Sequence, residues 1–149
     1  MHTTRVRDIM TSVVEILQLG DTLDLASRLM SAGRIRHLPV VDGEQRLVGL
    51  VTHRKIASAW ISHGDPANER WRDVARDIPV EMLMETDVVT IRPDASAAEV
   101  ADLMVHRRIG CVPVLAEGKV VGIVTEADFV KLARKIFERE KARTEPARR

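Results

Sequence analysis

Apolar residues in this chain form two kinds of run, and the runs appear in the same order twice. Val13-Val-Glu-Ile-Leu17 is a short strand-like stretch closed by the turn residues Gly20 and Asp21. Leu25, Ala26, Leu29 and Met30 then recur at helical spacing, with Asp21 or Thr22 as N-cap and Gly33 as the stop. Leu38-Pro-Val-Val41 and Leu47-Val-Gly-Leu-Val51 flank the turn Asp42-Gly43-Glu44, which predicts a hairpin. Thr52 caps a further helix through Ile56, Ala59 and Trp60. In the second half, Val88-Val-Thr-Ile91 is the strand. Asp94 opens a helix that carries the capping-box pattern Ser96-Ala-Ala-Glu99. Val112 to Leu115 and Val120 to Val124 form a hairpin around Glu117-Gly118, and Thr125 caps a last helix through Phe129, Leu132, Ala133 and Ile136. The predicted order is β-α-β-β-α, twice.

The repetition extends to single residues. Met30 to Pro39 and Met104 to Pro113 are both nine residues, so the copies lie 74 apart. One residue is lost in the second turn, after which Gly49-Leu-Val-Thr52 and Gly122-Ile-Val-Thr125 match at an offset of 73. The lead-in segments also correspond, Val6-Arg-Asp-Ile-Met10 with Val80-Glu-Met-Leu-Met84. Repeats this close stack as copies of one supersecondary unit and bury a face against each other. Their seam holds two related clefts. The chain divides into a first unit at 1–63, a connector at 64–78, a second unit at 79–137 and a basic tail at 138–149. Gly64-Asp65-Pro66 marks the break, and residues 68–76 suit a helical turn carrying Trp71 and Val74. Trp60 and Trp71 are expected in the core or at a subunit contact, and Met10, Met30, Met84 and Met104 as packing residues.

Composition narrows the class. A chain of 149 residues with 45% hydrophobic and 30% charged residues has the profile of a soluble globular protein. No apolar run reaches the length of a membrane span, and no signal-peptide core is expected in the first residues. The single cysteine, Cys111, allows no internal disulfide and suits a reducing cytoplasm. Histidines at 2, 53, 63 and 106 lack metal-ligand spacing, so no metal site is expected. The net charge of +1 hides a skew: Lys131 to Arg149 holds eight Lys or Arg against three Glu. Nothing aromatic after Phe137 is present to stack bases, so a solvated basic end is preferred to a nucleic-acid arm.

The repeated Val-x-x-x-Met, the Leu-Met…Pro-Val core and Gly-h-h-Thr-x-x-Asp (h apolar), in this order, resemble the cystathionine β-synthase (CBS) domain family. The pair resembles a Bateman module from Val6 to about Leu132. The resemblance implies two β-α-β-β-α units packed sheet to sheet with pseudo-two-fold symmetry. It further implies clefts that bind adenosine-containing ligands (AMP, ADP, ATP or S-adenosylmethionine), a homodimer built as a flat disc of four units, and no catalytic chemistry. No cofactor is required.

In such a family the Asp of Gly-h-h-Thr-x-x-Asp accepts from ribose, and basic residues before the other unit's Pro reach phosphate. Gly122-Ile-Val-Thr125-Glu-Ala-Asp128 matches in full, and Arg36 and His37 precede Leu38-Pro39. Thr125, Asp128, Arg36 and His37 therefore form one expected site, with Thr86, Val88 and Val112 as its expected base wall. The reciprocal set is degenerate. Thr52-His-Arg-Lys55 places an ammonium where the acceptor belongs, and Gly110 and Cys111 stand where the other unit has Arg36 and His37. Thr52 and Thr125 are N-caps regardless of any ligand, and Asp128 suits a first helical turn. No phosphate loop, dinucleotide fingerprint or nucleophile triad is present, so an enzyme is not expected. The favoured expectation is a free-standing nucleotide sensor read by an unknown protein partner. A structural module with vestigial clefts, and weak nucleic-acid binding through the tail, stand as alternatives.

Overall fold

The computed structural model describes residues 3–63 and 69–144, so the break at Gly64-Asp65-Pro66, His2 and the last five residues lie outside the described residues. The chain forms a mixed α/β structure of two sheet-plus-helix units. The first unit holds β1 (Leu17–Gln18), α2 (Leu23–Gly33), β2 (His37–Val41), β3 (Leu47–Thr52) and α3 (His53–His63), and α4 (Glu69–Asp77) follows. The second holds α5 (Ala97–Arg107), β4 (Cys111–Ala116), β5 (Lys119–Thr125) and α6 (Glu126–Thr144). A short helix α1 (Val6–Ile9) and a 3₁₀ turn (Val80–Met82) are the lead-in segments. The sheets run β1-β2-β3 and β4-β5, with β1 parallel to β2 and both hairpins antiparallel.

The first strand of each unit is shorter than its apolar run suggests. Only Leu17 and Gln18 pair in the first copy, and in the second a single bridge joins Ile91 to Val114. Val13 is 92% exposed and Val14 packs between the units, so residues 13–16 follow the seam rather than the sheet. Helix starts agree with the capping patterns. Thr22 accepts from Leu25 N–H, and Ser96 and Glu99 form the reciprocal box at 3.1 and 2.7 Å. Helix α2 ends one residue later than expected, because Gly33 stays helical and Arg34 takes the left-handed conformation at φ 50°. Arg108 does the same at φ 53°. Each arginine N–H, and that of the next isoleucine, bonds back to the carbonyl of the repeated methionine, Met30 or Met104. That closure offsets a left-handed cost of roughly 1–2 kcal/mol.

The lead-in segments are exchanged between units. Val6, Ile9 and Met10 join the core of the second unit, with Val100, Met104, Val112, Val114 and Val124. Val80, Leu83 and Met84 join the core of the first, with Leu17, Leu23, Leu38 and Ile56. The cause is steric. Met10 lies across Gly122, where a Cβ would stand 2.5 Å from its sulfur, and Met84 lies across Gly49 at the same 2.5 Å. Thr11 and Ile123 then exchange two backbone hydrogen bonds at 2.9 Å, and Glu85 and Leu50 exchange two at 2.8 and 2.9 Å. The units thus interleave in space, although a division at 1–63 and 79–137 is consecutive. Leu50, Cys111 and Ile123, with Val14 and Val88, pack the sheets together. Helix α4 covers α2 through buried Trp71 and Ala75, and Trp60 meets Trp71 edge-on at 6.2 Å. The stretch after residue 137 is helical through Thr144.

Candidate functional site

Each hairpin brings the start of its first strand beside the end of its second: His37 pairs with Thr52, and Cys111 with Thr125. Face-to-face packing then sets the end of β5 against the start of β2. The result is a cleft of about 480 Å³ lined by Arg36, His37, Thr125 and Asp128, four residues from two distant parts of the sequence. Residues 11 and 13–15 and Ile123 form its further wall, and Arg34, Ile35, Glu126 and Lys131 contribute to its rim.

Asp128 is the centre of this cleft and is 5% exposed, the buried charged residue among those described. Its Oδ2 accepts from Thr125 N–H at 2.9 Å and from the Thr125 hydroxyl at 3.3 Å. Its Oδ1 accepts from the Thr11 hydroxyl at 3.2 Å and faces Lys131 Nζ at 3.7 Å. The carboxylate therefore caps α6 and ties the exchanged lead-in segment to the second unit. His37 is half-buried, and burial pushes its pKa below the ordinary 6.5; Glu126 opposes this and Arg36 adds to it. His37 and Glu126 both approach the Cα of Gly110, where a Cβ would stand 3.7 Å from His37 Nε2 and 3.6 Å from Glu126 Cδ. A Cβ at 110 would therefore make only ordinary contact with both side chains.

Thr86, Val88 and Val112, the expected base wall, do not line this cleft. Val88 lines the opposite cleft, Val112 is fully buried in the core of the second unit, and Thr86 is exposed and lines neither cleft. Exchange of the lead-in segments explains the difference, since residues 11–15 rather than 86–88 run beside Thr125. Thr11 and Lys131 were missed. The signal for Thr11 was its place directly after Met10, which packs on Gly122.

The opposite cleft, of about 560 Å³, is lined by Thr52 and Cys111, as expected, and by Val88, Glu85 and Asp87, with Arg36 and His37 bordering it as well. Lys55 stays exposed and is not among its lining residues; its N–H is capped by the Thr52 hydroxyl at 3.3 Å. Burial, followed by the charge of Asp128, pushes the Cys111 thiol up to about 12, so it remains protonated at neutral pH. Among the described residues no cluster of His, Cys, Asp or Glu is arranged to hold a metal ion, and no helix is long and apolar enough to cross a membrane.

The doubled unit has counterparts among known proteins. The family model for the CBS domain matches residues 6–62 and 75–135. The chain belongs to the CBS domain family. A CBS domain-containing protein of Dictyostelium discoideum is 33% identical over 135 residues, spanning 89% of this chain and 93% of that protein. A Vibrio cholerae structure described as an acetoin utilization protein, AcuB, superposes with a TM-score of 0.80 at 35% identity, covering 97% of this chain and all of that one. The CBS domain pair of protein MJ0100, crystallised with 5′-methylthioadenosine and S-adenosyl-L-methionine, has a TM-score of 0.75 at 28% identity, covering 91% and 99% of the two chains. Other relatives are longer, and of one the chain spans only 24%.

Proposed function

We propose that this CBS pair is a regulatory module rather than a catalyst, binding one adenosine-containing ligand per chain in the Thr125/Asp128 cleft. The observation that carries the reading is the convergence of Arg36 and His37 with Asp128 in one cleft. Asp128 offers the acceptor that ribose hydroxyls need. Arg36, Arg34 and Lys131 supply cations for phosphate, and Val14, Ile35 and Ile123 an apolar slot for the base. The adenosine ligands of the MJ0100 pair support the ligand class, from AMP, ADP and ATP to S-adenosylmethionine. Lys55 replaces the motif's carboxylate and does not line the second cleft, so that cleft lacks the Thr-x-x-Asp acceptor and does not take ribose in the same way. Ligand binding biases the packing of the two units, and the signal leaves through conformation or oligomer state. We assign the module to the cytoplasm, as a homodimer read by a protein partner.

A thermal-shift panel of AMP, ADP, ATP and S-adenosylmethionine tests this. Saturation at a hundred times Kd stabilises by about 2.7 kcal/mol. Lys55→Ala keeps that shift. No shift with any of the four at millimolar concentration refutes the reading. One observation favours a second: Asp128 is fully paired without ligand, as a purely structural staple between lead-in and helix would be. Flat titrations together with a destabilised Asp128 variant would select it.

A further inference from the structure

The opposite cleft repeats the nucleotide cleft position by position, and the repeat shows which groups have changed. Its apolar slot is kept: Leu50, Val88 and Ile109 stand at the places of Ile123, Val14 and Ile35. Its charges are moved. The lead-in wall carries Glu85 and Asp87 where the first cleft has Thr11 and Val13. The first turn of α3 carries Arg54 where α6 has Ala127, and Arg108, the C-cap of α5, keeps the place of Arg34. Gly110 and Cys111 leave β4 without the cationic lead that Arg36 and His37 give β2. None of Glu85, Asp87, Arg54 and Arg108 forms an ion pair among the described residues. Arg36, His37 and Glu126 border both clefts and do not distinguish them. What distinguishes the opposite cleft is two carboxylates from one segment, guanidiniums from two helix ends and an apolar slot.

We infer that this cleft takes a free α-amino acid with an apolar side chain. Arg54 and Arg108 supply charge-assisted hydrogen bonds to its carboxylate, and the N-terminal dipole of α3 acts in the same direction. Glu85 and Asp87 accept from its ammonium, and Leu50, Val88 and Ile109 take the side chain. A purely anionic ligand would face Glu85 and Asp87, and a purely cationic one Arg54 and Arg108; a molecule that carries both charges answers each. The inference does not depend on nucleotide binding at Asp128, because the residues that carry it line the opposite cleft and not the first.

The test is isothermal titration of the full chain with L-phenylalanine, with hydrocinnamate as the analogue lacking the ammonium and phenethylamine as the one lacking the carboxylate. Phenylalanine is expected to bind saturably, and each one-charge analogue at least about tenfold more weakly, the value of a hydrogen bond between charged groups. Asp87→Asn and Arg54→Gln are each expected to weaken phenylalanine about tenfold on the same grounds. Both side chains are exposed and unpaired among the described residues, so both variants keep the native melting temperature and the native response to AMP. Asp128→Asn leaves phenylalanine binding intact whatever it does to nucleotides, so failure at one cleft is distinct from failure at the other. The proposal falls if phenylalanine gives no saturable heat at high millimolar concentration, or if either analogue binds as tightly as phenylalanine. It also falls if either Asp87→Asn or Arg54→Gln binds phenylalanine unchanged, or if Asp128→Asn abolishes binding, which would put the amino acid in the nucleotide cleft.

Discussion

Truncating Asp128 should damage the fold by an amount that its contacts set. Asp128→Ala removes the acceptor for Thr125 N–H at 2.9 Å, the first-turn cap of α6, worth about 1 kcal/mol. It also strands the part-buried hydroxyls of Thr11 and Thr125, at about 0.5–1.5 kcal/mol for each hydrogen bond lost. Lys131 is 68% exposed and 3.7 Å away, so its ion pair adds little. The total is about 2–4 kcal/mol on these increments. Asp128→Asn should cost less, about 1 kcal/mol, because the amide oxygen can still cap Thr125 and the Thr11 hydroxyl can turn to accept from the amide nitrogen. Urea unfolding followed by tryptophan fluorescence measures both. A loss below about 0.5 kcal/mol for the alanine variant, no more than an ordinary surface substitution, would refute the cap-and-staple role. Equal losses for Asn and Ala would refute the hydrogen-bond assignment. On the binding side, Asn replaces a charged acceptor with a neutral group, so AMP affinity should fall about 10- to 100-fold in isothermal titration.

Two further outcomes follow from the packing and the charge of the site. Gly122→Ala forces a Cβ against Met10 Sδ at 2.5 Å and the Thr11 carbonyl at 3.1 Å, an overpacking cost of about 1–3 kcal/mol. Met10→Ala in the same chain should recover part of it, a coupling of about 1 kcal/mol by double-mutant cycle; strict additivity would deny the contact. Burial holds His37 below 6.5, so the unfolded chain binds more protons as pH falls from 6.5 through the lowered value, and stability drops across that window. AMP phosphate favours the imidazolium, so AMP affinity relative to adenosine should rise on the same descent, and His37→Gln should flatten both trends. A pH-independent AMP-to-adenosine ratio in the native chain would exclude His37 from the phosphate.

Sequence reading did well wherever a residue's role follows from its near neighbours. Thr22, Ser96 with Glu99, and Thr52 cap helices because the donors they satisfy lie three residues away. The resemblance to the CBS family, carried by the repeated motifs, made Thr125, Asp128, Arg36 and His37 legible as one set. The reading failed at the strands, because apolar runs mark burial and not pairing: Val14 is apolar for the seam and forms no ladder. It failed again at Gly33, where the left-handed position went to Arg34.

By itself the sequence determined the doubled unit, the order of its elements and the asymmetry of Asp128 against Lys55, all of which rest on spacing. Only the tertiary structure decided which wall faces which cleft. Met10 settles on Gly122 and Met84 on Gly49 because each glycine leaves room for a sulfur where any side chain would collide. Contacts across 112 residues for Met10 and 35 for Met84 leave no periodic trace in the chain, so the exchange of lead-ins, and with it Thr11 beside Asp128, emerged only in three dimensions.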